Sequence, residues 1–274
     1  MPARLHAVIV ARSGATARAQ LLRTIDALAA QTRRPDAVTL VVCGDVTTAR
    51  ESPAVAAIAD AIIEARQTTS FADAVALAAA RVPDDSALWL LTHDSAPAPR
   101  ALAQLAGALE RSPSAAIAAP KLIRQDDDRE IVSFGVTMTT FGRSVELAAH
   151  ELDQGQHDGA DEALGADIRG ILIRAEVREH LAIDDALAGA DEGLDLGVRA
   201  RLGGGRVVLT ADARIRVEPD GPAALPQRPS CRCTGSRSCL SRCGARSCTS
   251  SASVRPRCFR SGRRLRPRWC ALAP

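Results

Sequence analysis

Three carboxylates crowd into one short stretch of the chain. In GADEGLDLGVRARLGGGRVVL (189–209), Asp191, Glu192 and Asp195 fall within five residues, at or just before the first turn of a helical pattern. A glycine run ends that pattern and an apolar strand follows. Carboxylates at a helix start are favoured by the helix dipole and by the free backbone N–H groups there. At the mouth of a pocket such a group can accept a proton or hold a cation. On an open surface it is an ordinary helix-start signal. A second acidic position, His93-Asp94, ends an apolar run, ALWLLT (87–92), and offers an imidazole beside a carboxylate. Asp45 ends a third apolar run, and Arg12-Ser13 ends the first. The ordinary alternatives are a helix N-cap for Asp94, a satisfied strand-end imidazole for His93, a turn for Asp45 and a helix-surface position for Arg199.

The elements that must hold these residues alternate. Residues 5–12 read as a buried strand. Residues 17–31 place Leu21, Leu22, Ile25 and Leu28 at helical spacing. Strands are expected at 37–45, 61–64, 87–92 and 115–123, with helices at 71–82 and 98–110 between them. This β-α order predicts a mostly parallel sheet covered on both faces. Ligands of such sheets bind beyond the carboxyl ends of the strands, where Arg12, Ser13, Asp45, His93 and Asp94 fall. From 124 the pattern changes: one or two strands over 130–146, a polar loop over 151–163, a strand at 166–174, a short helix at 175–181, the acidic helix, and a closing strand at 206–217. There is no Gly-Lys-Ser/Thr phosphate loop and no GxGxxG after a strand.

Composition divides the chain near Pro222. Up to Asp220 there are 23 Lys plus Arg against 32 Asp plus Glu, a net charge of −9. The remaining residues hold 12 Arg and no carboxylate. Seven of the eight cysteines lie there too, leaving Cys43 alone in the body, a pattern expected of a reducing, cytoplasmic setting. Cys43 reads as a small buried apolar residue. The Cys spacings of the tail do not suit a zinc module, which wants paired Cys and usually His. Scarce aromatics and absent Lys argue against a nucleic-acid arm, and no nucleic-acid partner is expected. The tail (221–274) reads as a disordered segment of the kind a GC-rich gene yields when translated out of frame. No run approaches the roughly 18 apolar residues of a membrane span. Peripheral attachment at the inner face of a membrane stays open.

Taken in order, several segments resemble the family 2 glycosyltransferases, which have the GT-A fold: residues 5–12, AAQTRRPDAVTLVV, WLLTHDSAPAP, DQGQHD (153–158), GADIRGILIRAEV (165–177) and DEGLDLGVRARLGGGRVVL. They look most like the bacterial branch that builds cell-envelope polysaccharides, including rhamnosyl- and galactosyl-transferases. The resemblance implies a doubly wound, mostly parallel GT-A-like sheet over 1–220. Residues 1–123 would form the nucleotide-sugar half and 124–220 a smaller acceptor-side β/α portion. It implies transfer of a sugar, with inversion, from a UDP- or dTDP-linked donor to a glycan or lipid-linked acceptor. Asp191 or Glu192 would be the catalytic base. Arg12, Ser13, Asp45, Asp195 and Arg199 would bind the donor, and Asp94 with His93 would hold Mg²⁺ or Mn²⁺. Three positions depart from the family pattern. His93 stands beside the strand-end Asp, Cys43 replaces an expected Asp, and Gly193 stands where the base is expected. Two alternatives stay open: a silent GT-A-like scaffold or binding domain, to which these departures point, and a nucleotidyltransferase, which would also use strand-end acids and Mg²⁺.

Overall fold

In the computed structural model of the chain, the described residues are 4–178, 183, 184, 187 and 190–219. The expected disordered tail, 221–274, lies outside them, as do residues 179–181 of the short helix and Gly189 of the acidic stretch. Strands β1 (Arg4–Arg12), β2 (Ala37–Cys43), β3 (Ala61–Ala65) and β4 (Ser86–Thr92) lie in the order β3-β2-β1-β4, all parallel. The connections carry α1 (Ala15–Ala29), the single turns α2 (Thr47–Arg50) and α3 (Pro53–Ala56), and α4 (Phe71–Ala79). The short β5 (Ala96–Pro97) leads to α5 (Ala101–Arg111) and β6 (Ala115–Arg124).

The second half completes the sheet. Strands β7 (Glu130–Ser133), β8 (Val136–Met138), β9 (Ser144–Glu146), β10 (Glu151–Leu152), β11 (Glu162–Ala163) and β12 (Leu172–Ile173) precede α6 (Ala175–Arg178), α7 (Ala190–Leu202) and β13 (Arg206–Val217). β12 lies between β4 and β6, antiparallel to both. β13 runs parallel to β6, while β8 and β9 form a separate hairpin. The architecture is the mixed α/β one, with a large sheet covered on both faces, that the element order predicts.

Side-chain alternation explains why the sheet is covered twice. Leu5, Ala7, Ile9 and Ala11 of β1 join a core with Leu21, Ile25 and Leu28 of α1 and Leu102 and Leu105 of α5. Val8 and Val10 face the opposite core, with Phe71, Ala74 and Ala78 of α4 and Leu196 and Ala200 of α7. Successive strand residues point to opposite faces, so a run apolar at every position is stable only between two layers of helix. Each fully buried aliphatic of this kind contributes about 1.5–3 kcal/mol.

The expected strand over 166–174 is two residues long, because its first part has other partners. Gly170 has φ +89°, a left-handed conformation suited to glycine, and its carbonyl accepts from Trp89 Nε1 at 3.0 Å. Residues 164–167 lie against α7 with no room for side chains. A Cβ on Gly193 would stand 1.5 Å from the Ala166 carbonyl oxygen, and one on Gly197 would stand 1.9 Å from that of Leu164. Glycine at 193 is thus a requirement of backbone-to-backbone packing.

Candidate active site

The carboxyl ends of β1 and β2 open onto a small hollow. Arg12, Ser13 and Asp45 line it together, joined by Gly14 and Arg18 at the start of α1. The turn after β2 is shaped for this approach. Gly44 has φ +118°, and a Cβ there would stand 2.1 Å from Ser13 Oγ. Arg12 Nη1 donates to the Gln67 carbonyl at 2.6 Å, which draws the guanidinium across the strand ends. Partial burial holds its pKa below the ordinary arginine value. Asp45 is exposed, and its Oδ1 accepts from the Thr47 N–H at 2.9 Å. That bond to Thr47 holds the carboxyl below its ordinary pKa. Cys43 is buried completely, and burial pushes its thiol pKa up.

Asp94, at the end of β4, has a different setting. Its side chain is 0% exposed. Oδ1 accepts from Thr92 Oγ1 at 2.5 Å, and Oδ2 accepts from the Glu218 N–H at 3.3 Å. Arg169 Nη1 lies 3.7 Å from Oδ2. Arg169 also forks onto Asp167, with Nη2 at 2.8 Å and Nε at 3.1 Å, and donates to the Glu218 carbonyl at 2.9 Å. Its guanidinium pKa is raised. Burial opposes that rise, and the charges and hydrogen bonds of Asp167, with the charges of Asp94 and Glu146, outweigh it. Asp94 does not cap α5, whose N-cap is Arg100. His93 is buried beside it, and Thr24 Oγ1 donates to its carbonyl at 2.8 Å. Burial lowers the imidazole pKa, against the pull of Asp94.

The first turn of α7 meets β9 through a side-chain hydrogen bond. Asp191 Oδ1 accepts from Ser144 Oγ at 2.6 Å. Two residues along β9, Glu146 feels the charges of Asp167 and Arg169, and burial raises its pKa. Asp94, Arg169 and Asp167 thus form one ion-paired cluster, and Glu146 lies within reach of its field. Glu192 is half-buried in the same first helical turn. Asp195 and Arg199 pair with each other one helical turn apart. The structure thus brings Arg12, Ser13 and Asp45 to one hollow. It ties Asp94 to Arg169 and Asp191 to Ser144, and leaves Asp195 and Arg199 bound to each other.

Two cationic centres were not assigned from the sequence. One is Arg169. The other is Lys121, the only lysine of the chain, on β6. Lys121 is fully buried, bonded to Asp153 Oδ1 at 3.0 Å and to Asp158, with the Phe134 ring centroid 5.2 Å from Nζ. Arg214 also pairs with Asp153. The DQGQHD loop (153–158) is thereby pinned to the sheet. A lone lysine within an apolar strand pattern, together with two aspartates in a polar loop, is the signal that marks this centre.

Mn²⁺ and Mg²⁺ take oxygen ligands, with open positions for water or substrate. Asp94 and His93 do not fit that demand. Both oxygens of Asp94 are occupied by protein donors, and among the described residues no three His, Cys, Asp or Glu side chains gather as metal ligands. Among the described residues no helix is long and apolar enough to cross a membrane.

Comparison with known proteins follows the same lines. A profile of the family described as Glycosyltransferase like family 2 matches residues 2–233. The crystal structure of GalNAc-T7 with UDP, GalNAc and Mn²⁺ superposes with a TM-score of 0.61 at 12% identity, over 79% of this chain and 44% of that one. The crystal structure of S. aureus TarS superposes with a TM-score of 0.52 at 13% identity, over 79% of this chain and 37% of that one. The likeness at these identities is one of fold, and the chain spans less than half the length of either protein. No curated protein matches it by sequence.

Proposed function

Because the chain belongs to glycosyltransferase-like family 2 and carries its GT-A fold, we propose that it moves a sugar from a nucleotide-diphosphate donor to a glycan or lipid-linked acceptor, with inversion. The observation that carries this reading is the hollow at the ends of β1 and β2. It puts the cations Arg12 and Arg18, the Ser13 hydroxyl and the exposed Asp45 carboxylate around one space. Cations there suit a diphosphate, and a carboxylate suits the hydroxyls of a ribose or the N–H of a pyrimidine base. A UDP- or dTDP-linked donor matches that set. Asp195 and Arg199, paired with each other within α7, belong to the donor side of this reading.

The reaction needs an acceptor hydroxyl stripped of its proton. Asp191 or Glu192, in the first turn of α7, takes that proton. The oxygen attacks the anomeric carbon, the bond from that carbon to the diphosphate oxygen breaks, and the diphosphate leaves with the electron pair. GalNAc-T7 was crystallised with UDP and Mn²⁺, and a divalent ion would supply charge neutralisation at the leaving group. Since Asp94 and His93 do not fit such an ion, no step here runs through it. The domain is assigned to 1–220, in the cytoplasm, with an envelope glycan of the rhamnosyl- or galactosyl-transferase type as product.

A second reading, a donor-binding domain without turnover, is favoured by one observation. The Ala166 carbonyl fills the space a side chain at 193 would need, at the place where the family resemblance puts its base. A panel of UDP-, dTDP- and GDP-sugars, followed by thermal shift and by product formation, tests both. Stabilisation by one donor class together with transfer supports the enzyme, and the Asp191→Ala/Glu192→Ala variant should then keep the shift and lose transfer. Stabilisation without transfer to any glycan acceptor supports the second reading. No shift with any donor overturns both.

A further inference from the structure

Each oxygen of the strand-end carboxylate already meets a protein donor. Thr92 donates to Oδ1, while the Glu218 N–H and Arg169 address Oδ2. Asp167, the other acid of this cluster, is held by the same guanidinium through Nε and Nη2. His93 is 3% exposed. Arg169 is itself sealed, with a side chain 9% exposed. A divalent ion reaching Asp94 would have to displace these donors and sit beside a buried guanidinium, whose like charge repels it. The arginine is also fixed from two sides. Asp167 Oδ1 accepts from the backbone N–H of Arg169 at 2.9 Å, and the Glu218 carbonyl accepts from its Nη1 at 2.9 Å. Glu218 therefore bridges the pair, giving its N–H to Asp94 and its carbonyl to Arg169.

We propose that Arg169 is the built-in counter-ion of Asp94, occupying the cation position of this strand end, so that the chain binds no divalent metal through Asp94 and His93. An arginine side chain is permanently charged and tethered, and it offers several N–H donors in a fixed plane. It fills the electrostatic need of the strand end without an open coordination position. The inference concerns metal binding, and it stands or falls separately from sugar transfer.

The test uses the full chain and Mn²⁺ alone, followed by electron paramagnetic resonance and thermal shift, with UDP absent and present. Wild type and Asp94→Asn should bind Mn²⁺ equally, within about twofold. Arg169→Met exposes the carboxylate and should gain a site at least about tenfold tighter, and Asp94→Asn added to Arg169→Met should remove that gain. A tenfold loss of Mn²⁺ affinity in Asp94→Asn or in His93→Gln overturns the proposal. So does a folded Arg169→Met variant that gains nothing. Where Arg169→Met does not fold, the comparison of wild type with Asp94→Asn and His93→Gln decides. Absence of any UDP-dependent shift counts against the donor reading and leaves the Mn²⁺ result intact.

Discussion

The two ends of the polar surface handle charge in opposite ways. At the ends of β1 and β2, Arg12, Arg18 and Asp45 line one hollow, and Asp45 is exposed. Around β4 and β6, Asp94–Arg169–Asp167 and Asp153–Lys121–Asp158 are closed upon themselves, and Asp94, Lys121 and Asp153 have side chains no more than 2% exposed. A charge facing open space keeps its field for a ligand. A charge already met by a buried partner holds two elements together instead. The comparison separates side chains that recognise from side chains that fasten, although both groups are rich in Asp and Arg.

The largest expected effect lies in the closed region. Lys121→Met leaves Asp153 buried beside Arg214 alone, and loss of one partner of a buried pair costs about 3–5 kcal/mol. Chemical denaturation should show that loss, and a midpoint unchanged from wild type would place Lys121 among the dispensable charges. Gly193→Ala comes next. The added methyl must displace the Ala166 carbonyl, and overpacking of this kind costs about 1–3 kcal/mol, against about 1 kcal/mol of helix propensity gained.

Acidification probes the same contrast. His6 and His93 are buried and their pKa values are lowered, by burial first, so the folded state prefers them neutral. The unfolded chain binds the extra protons. Their stabilising contribution is full above about pH 6.5 and is lost as pH falls from there through the depressed folded values, at up to about 1.4 kcal/mol per pH unit for each histidine. Glu146 runs the other way. Its raised pKa favours the protonated folded form, a contribution present below about pH 4.5 and lost as pH rises through the folded value. Denaturation midpoints between pH 5 and 8 should fall on the acid side. His6→Gln should flatten that slope, and an unchanged slope would remove His6 as a source. The smallest effect on stability belongs to the open region. Arg12→Ala should change folding by no more than about 0.5 kcal/mol while removing most of the donor-dependent thermal shift. A variant with its shift intact would detach the hollow from donor binding.

The legible part of the fold was the part governed by periodicity. The largely apolar β1 and the spaced leucines of α1 predict a sheet between two helical layers, and both cores confirm it. The turns α2 and α3 are too short to show a helical period. The span 130–146 holds three short strands where one or two were expected, because β7 pairs with β6 while β8 turns back onto β9. Strand-end positions were legible too, since topology alone puts Arg12, Ser13, Asp45 and Asp94 on one rim. The partners of Asp94 were not. Arg169 lies 75 positions away, in a segment read as strand, and its contact depends on the glycine seam that pulls 164–167 against α7. Such pairings arise from backbone approach, which residue type does not announce over that separation.

That seam couples two distant parts of the sequence. A carboxylate placed at 193 would need the 164–167 segment to retreat, and Asp167, which grips Arg169, lies within it. A substitution on α7 would thereby reach Asp94 on the far side of that guanidinium without touching it.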